Sequence, residues 1–178
     1  MKIFVLFLLA FIISAPAFSQ KQLEFMNQRF EFNAVRNGQL VRQETTDFGL
    51  RINYDTGEFF AKINLSESRL YADEELEYRI PGDEYLEITG FIPVAEVFEN
   101  NSESQTLKVE LNVKHLNNVA PVVFTFNLNR IKNASRKFTI FNINGPAQLS
   151  DFGVEDLKGY ESEINIILSF QAVFAGGH

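Results

Sequence analysis

Cysteine and tryptophan are missing from the sequence, and histidine occurs only twice, at His115 and His178. Without cysteine the chain forms no disulfide, and it cannot carry the acyl anchor that bacterial lipoproteins attach to an N-terminal cysteine. A thiol nucleophile and a cysteine-ligated zinc site are excluded for the same reason. The fold must therefore be held by an apolar core, which a chain of 178 residues is long enough to build.

The scarcity of histidine limits catalysis as well. Any Ser-His-Asp arrangement would have to use His115, and no serine stands in a G-x-S-x-G context. No H-x-H or H-E-x-x-H spacing is present, so we predict no metal site and no cofactor. A glycosidase needs only a pair of carboxylates, which leaves a hydrolase as a third alternative. We nevertheless expect a protein that is not an enzyme.

The N-terminal residues 1–19 predict a secretory signal peptide. Lys2 precedes an apolar run, and Ala17 and Ser19 are small residues at the −3 and −1 positions of a cleavage site. The apolar run is too short to span a bilayer, which takes about 20 residues. We expect cleavage after Ser19, a single mature domain of residues 20–178, and a periplasmic or secreted location without a membrane span.

Acidic residues outnumber basic ones. The chain has 23 Asp and Glu against 16 Lys and Arg, and removal of the signal peptide, whose only charge is Lys2, leaves 15 basic residues and a net charge of −8. Nucleic acid is therefore not expected as a partner, and nor is an anionic membrane surface. Phenylalanine is abundant instead, with 19 residues in the whole chain.

Alternation of apolar and polar residues predicts an all-β fold. In "LKVELNVK" (107–114) every second residue is apolar, as expected for a strand with one face in a core. Short polar loops join most segments, which favours an eight-stranded antiparallel lipocalin-like barrel over a two-sheet sandwich. The strands are predicted near 22–36, 45–55, 58–66, 85–98, 105–115, 121–132, 136–144 and 161–174.

Three local features are predicted within this pattern. The second and third strands are joined by a hairpin at "DTG" (55–57), where the glycine supplies a positive φ. The apolar parity of the first strand slips between Phe25 and Phe30, which predicts a bulge near Met26 to Gln28. The acidic segment 67–84 is predicted to be a short helix or a loop excursion.

The triplet Asp-Phe-Gly occurs twice, at 47–49 and at 151–153. In protein kinases this triplet holds a metal ion, but the sequence lacks the Gly-rich loop, strand lysine and His-Arg-Asp loop that work with it. Turn chemistry is the better interpretation, with Asp bonding backbone amides, Gly allowing a bend and Phe filling core space. The segment 149–160 is then the last crossing before the final strand.

One apolar face of the predicted barrel forms an inner lining. An ordinary packed core is one interpretation, and a slot for a long hydrocarbon chain is the other. In the second interpretation Tyr71, Tyr78 and Arg79 meet a head group at the mouth. The predicted lining consists of Phe48, Ile52, Phe59, Ile63, Val109, Phe124, Phe126, Phe138, Ile140, Ile166 and Phe170.

Three segments resemble the YceI-like family of exported bacterial proteins: "DFGLRINYDTGEFFAKINLSES" (47–68), "YLEITGFIPV" (85–94) and "LSDFGVEDLKGYESEINIILSFQAVF" (149–174). The resemblance covers roughly residues 45–174 and implies an extended lipocalin-like barrel, which in some members binds isoprenoid chains. Two departures indicate a divergent member. The Arg-Asp-x-His-Leu stretch of the more familiar members has no counterpart here, and Leu149 stands where they have an arginine.

Together these observations predict an exported, non-catalytic protein that holds an apolar chain, an isoprenoid or another lipid, inside a β-barrel. The alternative is an envelope structural or protein-interaction module with a filled core, whose acidic segment 67–84 binds a protein or Ca²⁺. We expect a monomer or a weak homodimer.

Overall fold

The computed structural model describes residues 22–66, 68–72, 78–79, 84–132, 137–154 and 158–175. Two short helical elements interrupt the strands: a π-helical turn at Ala95–Glu99, called the π turn below, and a 3-10 turn at Leu149–Phe152. The strands are β1 (Gln22–Arg36), β2 (Gln39–Thr45), β3 (Phe48–Ile52), β4 (Glu58–Asn64), β5 (Arg69–Ala72), β6 (Tyr78–Arg79), β7 (Tyr85–Phe91), β8 (Ser104–His115), β9 (Asn118–Lys132), β10 (Lys137–Gln148) and β11 (Tyr160–Ala175).

All these strands belong to one antiparallel sheet, in the order β3-β4-β7-β8-β9-β10-β11-β1-β2-β5-β6. The sheet curls into a half-barrel, so one face is concave and the other is convex. Most neighbours in the sheet are also neighbours along the chain, because hairpins connect them. The predicted all-β, lipocalin-like fold is confirmed. Within the described residues no helix is long and apolar enough to cross a membrane.

Alternating burial along the long strands defines the concave face. In β8 the buried positions are Val109, Leu111 and Val113, and the polar residues between them are exposed. The pattern continues on β11, where every second residue from Ile164 to Ala172 is buried. Because successive side chains of a strand point to opposite faces, this pattern places the apolar half of each strand in one core.

The bulge predicted in β1 is present. The pairing of β1 with β11 shifts register between Met26 and Arg29, and Asn27 adopts a positive φ of 53°. The extra residue moves the inward parity from odd positions to even ones. Phe25 before the bulge and Phe30 after it therefore contribute to the same core.

The sheet has eleven described strands where the sequence predicted eight. β2 was missed although Asn37-Gly38, with φ values of 52° and 80°, forms a two-residue hairpin turn of the kind that this dipeptide favours. β5 and β6 lie inside the segment 67–84, for which a helix or a loop was predicted, and β5 pairs with β2.

The predicted strand 85–98 ends early. β7 stops at Phe91 and the π turn follows, because Pro93 has no N–H to donate to a ladder. The "DTG" hairpin is confirmed. Gly57 there has a φ of 77°, and the side-chain oxygen of Asn53 accepts hydrogen bonds from the backbone N–H groups of Asp55 and Thr56.

The two Asp-Phe-Gly triplets share only part of their structure. Phe48 and Phe152 are both buried, as predicted. Gly153 has a φ of 74° and ends the 3-10 turn, whereas Gly49 lies on β3 without a positive φ. The prediction that the glycine allows a bend is thus confirmed at 151–153 and wrong at 47–49, where the chain is an ordinary strand.

Candidate functional site: the concave apolar face

Nine of the eleven predicted lining residues face the interior of the half-barrel. All nine are buried, with exposed fractions between 0% and 8%. They come from β3, β4, β8, β9 and β11, which the curl of the sheet brings around one space. These nine are Phe48, Ile52, Phe59, Ile63, Val109, Phe124, Phe126, Ile166 and Phe170.

The prediction that Phe138 and Ile140 line the interior was wrong. The buried positions of β10 are Phe141, Ile143 and Ala147, which have the opposite parity. Phe138 and Ile140 are half-buried on the convex face, and Phe138 pairs there with the exposed Ile131. Both parities of this segment carry large apolar residues, so its letters do not show which face turns inward.

The most deeply buried lining residues offer no surface to a ligand in this conformation. Ile63, Phe124, Phe126 and Ile166 have exposed fractions of 0%. A ligand reaches such side chains only if their neighbours move apart. Whether any predicted lining residue contacts a ligand stays a prediction.

Other inward-facing side chains keep part of their surface. They share the inward parity of their strands, yet they are only half-buried, so an apolar molecule on the concave face would touch them first. None of them was among the predicted site residues. We call this set the rim: Leu23, Phe25, Phe32, Leu50 and Leu107.

Two rim residues lie where the curl brings distant strands together. Phe32 follows the buried Phe30 on β1 at the same parity, and Leu50 stands between the buried Phe48 and Ile52 on β3. β1 and β3 approach each other although they are not neighbours in the sheet. The parity of the sequence could have identified both residues, since each continues an apolar series.

A chain of aromatic rings crosses one end of the concave face. Ring centroids are 5.7 Å apart for Phe25 and Phe170, 4.6 Å for Phe170 and Phe141, and 5.8 Å for Phe141 and Phe98. Phe98 also lies 5.8 Å from Tyr54. The rings come from β1, β11, β10, the π turn and the β3–β4 hairpin, so they join elements that are far apart in sequence.

Arg130 holds the π turn over this end. One Nη2 atom donates to the carbonyl oxygens of Glu96 and Val97, at 3.0 and 2.7 Å. The guanidinium also donates to Ser102 O and to Gln105 Oε1. Desolvation lowers the pKa of the Arg130 guanidinium from its usual value. Its position beside the last carbonyls of a helical turn is one that favours a cation.

The 3-10 turn closes the other end of β9. Phe152 is inserted into the core, and Asn118 Nδ2 donates to its carbonyl oxygen at 2.9 Å. Asp151 Oδ2 accepts the backbone N–H of Gln148 at 3.0 Å, as the turn interpretation of the triplet predicted. The two helical turns thus lie at opposite ends of one strand and each supplies a phenylalanine.

A polar groove of about 690 Å³ lies on a different part of the molecule. Within it Arg29 Nη2 and Glu44 Oε2 are 2.6 Å apart. Among its described lining residues two arginines and two carboxylates balance one another, so that part of the groove carries no net charge. Its described lining consists of Arg29, Glu44, Thr45, Thr46, Asp47 and Arg69.

Of the three predicted head-group residues, the structure describes the side chain of Tyr71. Tyr71 lies opposite Arg42 in the β2–β5 pair, with the guanidinium carbon 5.1 Å from the ring centroid. This pair shares the outward parity of Leu40, so the Tyr71 ring lies on the convex face, and its contact with a head group at the mouth stays a prediction. The side chains of Tyr78 and Arg79 lie outside the described part of the chain.

The described residues also bear on metal binding and catalysis. No group of three or more His, Cys, Asp and Glu side chains in that part of the chain is arranged to hold a metal ion. His115 Nε2 lies 3.7 Å from Glu84 Oε2. The acidic run 73–77, considered above for Ca²⁺, lies outside the described residues.

Comparison with known proteins identifies the fold. Scans against protein-family models and curated proteins gave no match. Among solved structures, a polyisoprenoid-binding domain from Saccharophagus degradans, described as implicated in plant cell wall breakdown, matches with a TM-score of 0.63 and 12% sequence identity. The match covers 87% of this chain and 98% of that domain. The chain therefore has the lipocalin-like fold of the YceI-like proteins, which confirms at the level of the fold the resemblance seen in its sequence.

Proposed function

We propose that the protein is an exported, non-catalytic carrier that holds an apolar chain, an isoprenoid or a fatty acyl chain, against the concave face of its half-barrel. The observation that carries this proposal is the rim. Phe32 and Leu50 turn inward and yet stay half-buried, so they present apolar surface to the interior that the protein itself leaves uncovered.

Covering that surface with a hydrocarbon is favourable. Each Å² of apolar surface removed from water contributes about 25 cal/mol. The interaction has no direction, so it suits a long, flexible and chemically plain ligand. Nearly all buried side chains described are apolar, with Thr45 and Ser68 as the polar ones. Such a face binds a chain well but supplies few groups to orient a reacting bond.

The solved domain from Saccharophagus degradans supports an isoprenoid as the ligand class, since that protein is described as polyisoprenoid-binding. The fold is shared at low sequence identity, and the ligand of this chain is inferred from its own rim. A fatty acyl chain makes the same contacts, so both ligand types belong in the experiment.

Native mass spectrometry of the protein, purified gently from an exporting host, tests the proposal. We expect a population heavier than the polypeptide by the mass of a lipid, which is released and identified after denaturation. The denatured mass should correspond to a chain that begins at Gln20, as export with cleavage after Ser19 requires. A bare mass together with a solidly filled interior would contradict the carrier function.

A second candidate is an envelope structural or protein-interaction module with a filled core. The observation that favours it is the close packing beneath the concave face. There the rings of Phe141 and Phe170 stack, and neither exposes more than 1% of its surface. In this case gentle extraction yields a protein without lipid, and substitutions at the rim do not change the binding of an added lipid probe. Calorimetric titration with Ca²⁺ tests the metal-binding version.

A further inference from the structure

We propose that the π turn is the gate through which an apolar ligand reaches the concave face, and that Arg130 is the latch that keeps the gate closed. This inference rests on the proposed function, because a gate has meaning only for a protein that takes up a ligand.

The π turn is too short to be stable without contacts from other elements. It has five residues, Ala95–Glu99, and isolated helices of that length are unstable because nucleation is costly. π-helical turns are rare, and those that occur often lie at functional sites. The turn therefore depends on contacts from other elements, and loss of those contacts releases it.

Side chains from other elements hold the turn, beside the backbone hydrogen bond that Val97 N donates to Pro93 O at 2.9 Å. Arg130 on β9 donates to the carbonyl oxygens of Glu96 and Val97. On the other side of the turn, Tyr54 OH donates to Glu99 Oε1 at 2.9 Å. Arg130 Nε is buried without a hydrogen-bond partner among the described residues, so the latch is incompletely satisfied. Such a group is less costly to expose than one with every bond made.

The turn covers the aromatic chain. Val97 is fully buried, and Phe98 packs between Phe141 and Tyr54. Outward movement of the turn would expose Phe141 and, behind it, Phe170. This end of the concave face also carries the rim residue Phe25, so a ligand that enters here meets apolar surface at once.

The 3-10 turn at the opposite end is held by its own backbone. Val154 N donates to Leu149 O at 3.1 Å and Gly153 N donates to Ser150 O at 3.0 Å, which is the Schellman pattern of a stable helix end. Gln148 and Asp151 form a capping box at its start. Of the two ends, the one closed by the π turn is thus the one built to open.

The absence of native cysteine allows a direct test of opening. Val97→Cys places a single thiol on the buried side of the gate itself, and Ile88→Cys places one in the middle of β7; both positions have an exposed fraction of 0%. In each background we compare the rate of thiol labelling with and without Arg130→Gln. We expect Arg130→Gln to accelerate labelling at position 97 by about tenfold or more, since hydrogen bonds to a charged group are lost.

Labelling at position 88 reports global unfolding and serves as the matched control. The gate proposal is contradicted if the thiols at positions 97 and 88 are labelled at the same rate and both rates respond equally to Arg130→Gln. Arg130→Lys provides a second variant in case the glutamine variant folds poorly. It keeps the charge but lacks the planar fork, so an intermediate acceleration is expected.

Ligand exchange tests whether the opening is the route used. Stopped-flow fluorescence follows cis-parinaric acid and an isoprenoid alcohol that carries an anthranilate group. A looser gate raises the association and dissociation rates together, each by about tenfold, and leaves Kd nearly unchanged, because the bound state is the same. Substitution of a residue that contacts the bound ligand instead changes Kd, mainly through the dissociation rate.

The outcomes separate the two proposals. Faster labelling at position 97 with unchanged exchange rates overturns the gate and leaves the carrier function standing. Failure of the unsubstituted protein to bind either probe removes the carrier function, and the gate with it. Parallel acceleration of both rates supports the gate.

Discussion

The rings of Phe141 and Phe170 stack with their centroids 4.6 Å apart and their planes 13° apart. The two residues lie directly opposite each other on β10 and β11. Phe141 also contacts Phe98 of the π turn, and Phe170 contacts Phe25 of the rim. The stacked pair therefore joins the π turn, through Phe98, to the rim, through Phe25.

Phe141→Ala and Phe170→Ala are each expected to lower the free energy of unfolding by about 3 to 5 kcal/mol, because each leaves a cavity in the core. The double variant should lose about 0.5 to 1.5 kcal/mol less than the sum, since the ring contact is removed only once. Urea unfolding followed by circular dichroism measures this. Phe91→Ala, at a side chain that is 67% exposed, is the control. Full additivity would show that the stacking itself contributes nothing.

Gly153→Ala should destabilise the protein by about 1 to 2 kcal/mol, because alanine resists a φ of 74°. Its Cβ would also lie 2.5 Å from Asn118 Nδ2, which bonds the Phe152 carbonyl. Gly49→Ala is the matched control. It has no atom within 4 Å of the added Cβ and no positive φ, so it should raise stability by about 0.4 to 1 kcal/mol. Thermal unfolding compares them, and equal effects would contradict the different structures assigned to the two triplets.

Leu50→Ser should weaken the binding of an apolar probe by about tenfold, since it removes apolar contact worth about 1 to 1.5 kcal/mol. Ile140→Ser is the matched control, because Ile140 is also half-buried but lies on the convex face. Fluorescence titration with cis-parinaric acid measures Kd for both variants. If Ile140→Ser weakened binding as much as Leu50→Ser, the concave face would not be the site.

Arg29 bridges two carboxylates that the β1–β2 pairing places opposite each other, Glu31 at 3.0 Å and Glu44 at 2.6 Å. Arg29→Gln leaves the like charges facing one another and should cost up to about 1 kcal/mol at low salt. The loss should shrink in 1 M salt, where the screening length is about 3 Å. Adding Glu44→Gln should recover part of it. A loss that is independent of salt would indicate packing rather than charge.

Much of the fold could be predicted because it is local. The alternation in β8, β9 and β11 identifies strands whichever partners they take, and the slip between Phe25 and Phe30 indicates the bulge. β2 was missed, although Asn37-Gly38 is a strong hairpin signal in the sequence. The end of β7 was missed although Pro93 breaks the ladder. Both errors concern signals that the sequence contains.

The candidate site was harder to predict, because each strand can turn either of its two faces inward. A shift of one residue in register exchanges those two faces. Phe138 and Ile140 are as apolar as Phe141 and Ile143, and only pairing with β9 and β11 selects between the two sets. The exposed fraction of each inward-facing side chain was even harder to predict. Phe30 and Phe32 have the same residue type and parity, yet one is fully buried and the other is half-buried.

The sequence by itself determined that this chain forms antiparallel strands with one apolar face, because side-chain alternation and turn chemistry act between near neighbours. It also determined that no disulfide holds them. Only the tertiary structure decided how far the sheet curls, and therefore which inward side chains are covered by others and which, like Phe32 and Leu50, keep surface for a ligand. It also placed Arg130 against the π turn, since the pairing of β8 with β9 brings the Arg130 backbone to Glu103, four residues after the turn ends at Glu99.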